Sequence, residues 1–269
     1  MNARALLAVP LLFFAIYPAA AQQENSPLQS TPEAGKPAVL THEQMVELHA
    51  DILMAEKDYE GAVKSYESLL SNDKTDARVL NKIGVACEQL GELHTAEHYF
   101  KRSEKADKTF ASPLNNLGTV EYSKKNYGKA IHYYLKAVKL RDNLGAVYSN
   151  LGYAYFGKKE YVEAMHAFTE ALAIDPDVFS NHGGMGSILQ QRTSTDPGLF
   201  YFLVAKTYAQ SANAEEAAHY LKLARDDGYK DFLSAQTDSA FAKVIKDPRV
   251  QEVLVVPPSY EGNKKTAQN

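Results

Sequence analysis

"YSNLGYAYFGKKEYVEAMHAFTEALAIDP", Tyr148–Pro176, carries two apolar stripes of helical spacing on either side of a short polar turn. Tyr148, Leu151, Gly152 and Tyr155 recur at i, i+3, i+4 and i+7, which gathers them on one face of a helix. Ala164, Phe168 and Ala171 form a second stripe at i, i+4 and i+7. "GKKE" between them is the turn. Gly152 and Ala164 are small enough to let the two helices approach closely, and Phe168 fills the space left between them. Asp175-Pro176 stops the second helix, because proline has no N–H to continue the ladder. The stretch reads as a helical hairpin with one side to bury.

The hairpin recurs. Ala50, Gly84, Gly118 and Gly152 fall 34 residues apart, as do Tyr59, Leu93, Tyr127 and Tyr161. Ala62, Ala96, Ala130 and Ala164 keep the same interval, followed by Tyr66, Phe100, Tyr134 and Phe168. Four columns in register over four copies are an internal repeat. A further copy is recognisable over Gly198–Asp231 from Tyr201, Ala205, Tyr208, Ala217, Leu221 and Ala224. Ala164 to Ala217 spans 53 residues, 19 more than the period, so Phe179–Pro197 is an insertion. Its "NHGGMG" is a loop able to bring backbone N–H groups to a ligand beside Gln190, Gln191 and Arg192. The favoured alternative is a short helix, "MGSILQQR", burying Met185, Ile188 and Leu189 over the joint.

The hairpin every 34 residues, the Leu-Gly, Tyr, Ala and Phe columns, and "NLG" at Asn116–Gly118 and Asn150–Gly152 resemble the tetratricopeptide repeat family. The resemblance covers Glu43–Val178 as four repeats, with His49-Ala50 replacing Leu-Gly in the first. It implies an all-α fold, a right-handed α-α superhelix of antiparallel helix pairs. Repeats one to four would occupy 41–178, the insertion 179–197 and a fifth repeat 198–231. A helical cap over 232–256 starts a helix at Asp247-Pro248 and buries Val250, Val253 and Leu254. A flexible tail over 257–269 follows.

The resemblance also implies a binding surface, since the family's first helices line a concave groove that holds peptides or partner segments. The columns that would face it hold Asn81, Lys82, Asn115, Asn116, Thr119, Tyr122, Ser149, Asn150, Tyr153 and Phe156. Asparagine amides both donate to and accept from a peptide backbone, so a row of them grips an extended chain whatever its sequence. Tyrosine and phenylalanine add rigid contact area at low entropic cost. Members that clamp acidic C-termini place Lys, Arg and Asn in the groove; here Glu47, Asp51 and Ala146 stand at such positions, which argues against that ligand.

Composition narrows the alternatives. With 45% hydrophobic and 23% charged residues the chain is globular, and a net charge of −4 gives no cationic surplus for nucleic acid. "MNARALLAVPLLFFAIYPAAAQQ" has one early cation, Arg4, an apolar run Ala5–Tyr17 too short to span a bilayer, and small residues Ala19-Ala20-Ala21. It reads as a signal peptide over 1–21, cleaved after Ala21, so the chain is expected to be exported, periplasmic or secreted. Gln22 to Leu40, rich in Pro, Ser, Gln and Glu, is expected to be a disordered linker. The sole cysteine, Cys87, has no partner for an internal disulfide and reads as a small buried apolar residue.

No catalytic motif is present: no phosphate-binding loop, nucleophile elbow or metal-spaced Cys/His cluster. No enzyme, metal or cofactor is therefore expected. Histidine recurs in one column, His98, His132, His166 and His219, two residues after the buried alanine and so on the outer surface. His94 and His98 at i, i+4 form at most a weak two-point metal site. The outward column reads as a solvated position copied with the repeat. The expected role is a cell-envelope scaffold binding a protein or peptide, with no nucleic acid and no membrane span. The alternatives are a self-assembling homo-oligomer, or a glycan or small-ligand module using the insertion.

Overall fold

The computed structural model describes residues 40–70, 76–140, 144–179 and 196–255. The leader, most of the linker, the insertion between 180 and 195, and the tail from 256 lie outside them. Leu40–Asn269 forms one compact unit. Its described residues hold eleven α-helices and no strand. They are α1 (His42–Ala55), α2 (Tyr59–Ser68), α3 (Ala77–Gln89), α4 (Leu93–Ala106), α5 (Ser112–Ser123), α6 (Tyr127–Leu140), α7 (Leu144–Gly157), α8 (Tyr161–Ile174), α9 (Pro197–Gln210), α10 (Ala214–Asp226) and α11 (Pro248–Leu254). Two 3₁₀ turns, Phe232–Gln236 and Ser239–Phe241, precede α11. The first ten helices make five hairpins, and successive helices pack on one another to give a helical solenoid.

Local chemistry sets the boundaries. Thr41 and Gln44 close a capping box at α1, the Gln44 N–H donating to Thr41 Oγ1 at 3.1 Å and the Thr41 N–H to Gln44 Oε1 at 2.8 Å. Asp58, Asp76, Asp196, Asn213 and Asp247 cap α2, α3, α9, α10 and α11 by accepting first-turn N–H groups. Each hairpin turns through a residue of positive φ in the same column: Lys57, Gly91, Lys125, Lys159 and Ala212. The N–H groups of Asp58, Glu92, Asn126, Glu160 and Asn213 then reach back five residues to close the preceding helix. Four of these left-handed positions carry a side chain, so the chain tolerates about 1 kcal/mol of strain at each to keep its turn.

The hairpins close as the small residues require. A Cβ built on Gly84, Gly118 or Gly152 would lie 2.5, 2.4 or 2.3 Å from the ring of Phe100, Tyr134 or Phe168. All three rings are fully buried, as are Ala62, Ala96, Ala130, Ala164 and Ala217. Apolar packing runs in two clusters. One joins the first two hairpins to Leu117 and Val120; the other runs from Ala111 to Leu254. Across the insertion the stacking continues, with Phe200 of α9 lying against Tyr153 (centroids 5.1 Å), Phe156 (5.6 Å) and Phe168 (5.8 Å). Phe232, Phe241 and Val250 close the far end of the unit at 0% exposure. Lys206–Asp238 at 2.8 Å and Arg225 Nη1 to the Val253 carbonyl at 3.2 Å tie that cap down.

Candidate functional site

The inner helices α1, α3, α5 and α7 bring the asparagines together. Asn150 Nδ2 donates to Asn115 Oδ1 at 3.0 Å, Asn115 Nδ2 to Asn116 Oδ1 at 3.4 Å, and Asn116 Nδ2 to Asn81 Oδ1 at 2.9 Å. The result is a ladder of amides crossing three hairpins. Each rung uses one N–H, so every member keeps a second N–H, and Asn81 keeps two. Asn81, Asn115 and Asn116 are half-buried with access to solvent, whereas Asn150 is buried.

The structure divides the other residues of the set. Lys82 is already engaged, its Nζ lying 2.8 Å from Glu47 Oε1 and 2.7 Å from Asp51 Oδ1. Burial lowers its pKa, but the hydrogen bonds to Asp51 and Glu47 more than offset that, holding it above the usual lysine range. The Tyr66 hydroxyl also donates to Asp51. The Lys82 contacts bolt the first hairpin to the second, and the Tyr66 contact ties α2 to α1 within the first. Thr119, Tyr122, Ser149, Tyr153 and Phe156 are buried, between 1 and 5% exposed. Thr119 Oγ1 sits 3.2 Å from the Tyr134 hydroxyl, and Tyr122 meets Tyr127 edge-on. Tyr153 and Phe156 pack on Phe200, which contributes to the joint with α9. Ser149 Oγ is the one buried side-chain polar atom among the described residues without a hydrogen-bond partner.

The solvent-accessible part of the inner face is therefore its N-terminal half: Glu47, Asp51 and Lys82, then Asn81, Asn115 and Asn116. Glu88 belongs with them and was not anticipated. It lies two turns beyond Asn81 on α3, in the column that later holds Tyr122 and Phe156, and burial pushes its carboxyl up to about 7. That shared column was the signal available in the sequence. Lys82 offsets only one of the two carboxylates it bridges, Glu47 and Asp51, so the accessible surface is amide-rich and mildly acidic.

Elsewhere, His98, His132, His166 and His219 are exposed on the second helices, His98, His132 and His219 edge-on to the next tyrosine at 5.2 to 6.0 Å. No group of three metal-capable side chains exists among the described residues. Cys87 is 1% exposed, and burial pushes its thiol up to about 11, far from the thiolate a reactive cysteine needs. No helix among the described residues is long and apolar enough to cross a membrane.

Comparison with known proteins agrees with this architecture. Two tetratricopeptide repeat models match, over residues 48–111 and 109–177, so these segments are tetratricopeptide repeats. No curated protein matches the sequence. Among solved structures, pilF of Pseudomonas aeruginosa superposes with a TM-score of 0.52 and 16% identity, covering 84% of this chain and 91% of that one. A structure of MamA covers 68% of this chain and 95% of its own at 22% identity, with a TM-score of 0.47. The first of these likenesses shows a shared helical fold.

Proposed function

We propose that the chain is a non-enzymatic scaffold of the cell envelope that holds an extended segment of another protein against the inner face of α1, α3 and α5. The observation that carries this reading is the asparagine ladder. Its spare amide donors stand in a row on an accessible face, at the spacing of successive helix pairs, and a peptide backbone is the ligand such a row fits. Strength would come from many weak contacts, since the accessible part of the face offers no deep aromatic anchor. Lys82 offsets only one of the two carboxylates it bridges, Glu47 and Asp51, so an acidic C-terminus is disfavoured and a neutral or basic segment preferred. Export follows from the leader, and the fifth hairpin extends the repeats beyond residue 177.

The test is capture by the tagged chain from Gln22 onward, crosslinked in a bacterial periplasm and analysed by mass spectrometry. The Asn81→Ala/Asn116→Ala variant runs beside it. Both side chains keep solvent access, so that variant should retain its helicity and melting temperature within a few degrees. A captured protein that is lost with the variant supports the scaffold. Undiminished capture by the variant removes the ladder from the site.

A further inference from the structure

Among the described residues no helix precedes α1, and the face it turns away from the solenoid is open. Met45 and Ile52, at i and i+7 on that face, are 50 and 47% exposed. The positions equivalent to Met45 in later hairpins are Val79, Pro113, Val147 and Phe200, all buried. Those equivalent to Ile52 are Ala86, Val120, Ala154 and Thr207, none more than 1% exposed. In α3, α5 and α7 this face packs on the preceding helix pair, chiefly on the second helix of that pair. Leu48, also 50% exposed, borders it on the inner side, in the column that continues as Lys82, Asn116 and Asn150. A terminal repeat ordinarily turns a polar face outward. Here the rim is polar and acidic instead: Asp51 stands three residues after Leu48, and Glu56 four after Ile52.

We infer that this face receives a basic amphipathic helix of another protein, with aliphatic side chains along one stripe and Lys or Arg at its borders. Packing selects a helix, because a helix covers the same face in each of the next three hairpins. An aliphatic surface rimmed by polar residues marks an interaction site. Charge selects the partner. Residues 42–70 carry seven acids, Glu43, Glu47, Asp51, Glu56, Asp58, Glu60 and Glu67, against Lys57 and Lys64, and Lys82 offsets one more. A cationic border meets that rim favourably, whereas a second copy would set one acidic hairpin against another. The chain's own residues 22–39 match no better. They hold Glu24 and Glu33 against Lys36, and Pro27, Pro32 and Pro37 interrupt any helix they could offer. The inference goes beyond the inner-face reading, since it depends on Met45, Ile52 and Glu56, which that reading does not use.

The experiment is fluorescence anisotropy with the chain from Gln22, which retains the compact unit Leu40–Asn269. The probes are two labelled synthetic helices as long as α1, each with leucine at i, i+3, i+4 and i+7. One carries lysine at the remaining positions and the other glutamate. The leucine–lysine helix should bind with a dissociation constant of about 10–100 µM, and the leucine–glutamate helix about tenfold more weakly. Met45→Gln/Ile52→Gln should weaken binding by about tenfold without changing circular dichroism, since both side chains are half exposed. Glu56→Lys should weaken it about threefold. Asn81→Ala/Asn116→Ala should leave it intact, which separates this face from the inner one. Failure of the leucine–lysine helix to bind, or equal binding of the two probes, overturns the proposal. So does binding that survives Met45→Gln/Ile52→Gln or is lost with the asparagine variant. A dimer in sedimentation velocity that Met45→Gln/Ile52→Gln dissolves would make a second copy the cover. Tighter probe binding once residues 22–39 are removed would make it the preceding segment. Either result refutes the basic partner.

Discussion

Replacing Gly152 by alanine adds one methyl group and should destabilise the solenoid, although alanine favours helix. The added Cβ would sit 2.3 Å from Phe168 Cε1, 2.4 Å from Cδ1 and 3.1 Å from Cγ, where ordinary contact is 3.4–4 Å. The ring would have to retreat by about 1 Å, a shift typical of overpacked cores. It has little room to do so. Phe168 is fully buried and held edge-on by Tyr153 at 5.5 Å, Phe179 at 5.3 Å and Phe200 at 5.8 Å. Overpacking of this kind costs about 3 kcal/mol at its upper range. The gain in helix propensity returns about 1 kcal/mol, so the net loss is about 2 kcal/mol. Gly128→Ala is the control, because nothing lies within 4 Å of its added Cβ and the same propensity gain should appear unopposed. The assay is urea unfolding followed at 222 nm, comparing midpoints, because repeat arrays depart from a single two-state transition. Gly152→Ala/Phe168→Leu should recover part of the loss, giving a coupling that single variants lack. A Gly152→Ala protein as stable as the parent would refute the idea that glycine is there to admit the ring.

Other outcomes follow from single residues. Lys125→Gly should stabilise the protein by about 0.5–1 kcal/mol by relieving a left-handed lysine, read as a higher urea midpoint, and Gly91→Ala should destabilise it by about 1 kcal/mol. Glu88 has a raised folded-state pKa, so its ionisation penalty is absent below about 4.5, grows as pH rises, and is complete above about 7. Glu88→Gln should accordingly stabilise the protein at pH 8 by about 1–2 kcal/mol, given the residue's partial exposure, and change nothing at pH 4; equal effects at both pH values would contradict the assignment. Cys87 should resist a thiol reagent in buffer and react within minutes in urea.

Much of this architecture was legible because it is periodic. The 34-residue columns located each hairpin, the glycine–ring pairs and the outward histidines, since helical spacing fixes which face a residue shares. What spacing does not fix is how tightly the neighbouring hairpin closes over that face. Tyr153 and Phe156 stood in the groove columns, yet Phe200 packs on both; the 53-residue interval obscured which residue of the fifth copy would meet them. Lys82 read as a groove cation, and only the fold shows it 2.7 Å from Asp51, 31 positions earlier. The left-handed lysines were hidden for a different reason. Lysine has no preference for that conformation, so only its alignment with Gly91 marked the position.

The central claim is that the inner face of α1, α3 and α5 is where a partner lies. A photoreactive residue at Asn115, with a second at His132 on the outer face, tests it directly in exporting cells. The account predicts a discrete crosslink to another polypeptide from position 115 and none from position 132. Crosslinks from position 132 alone would contradict it.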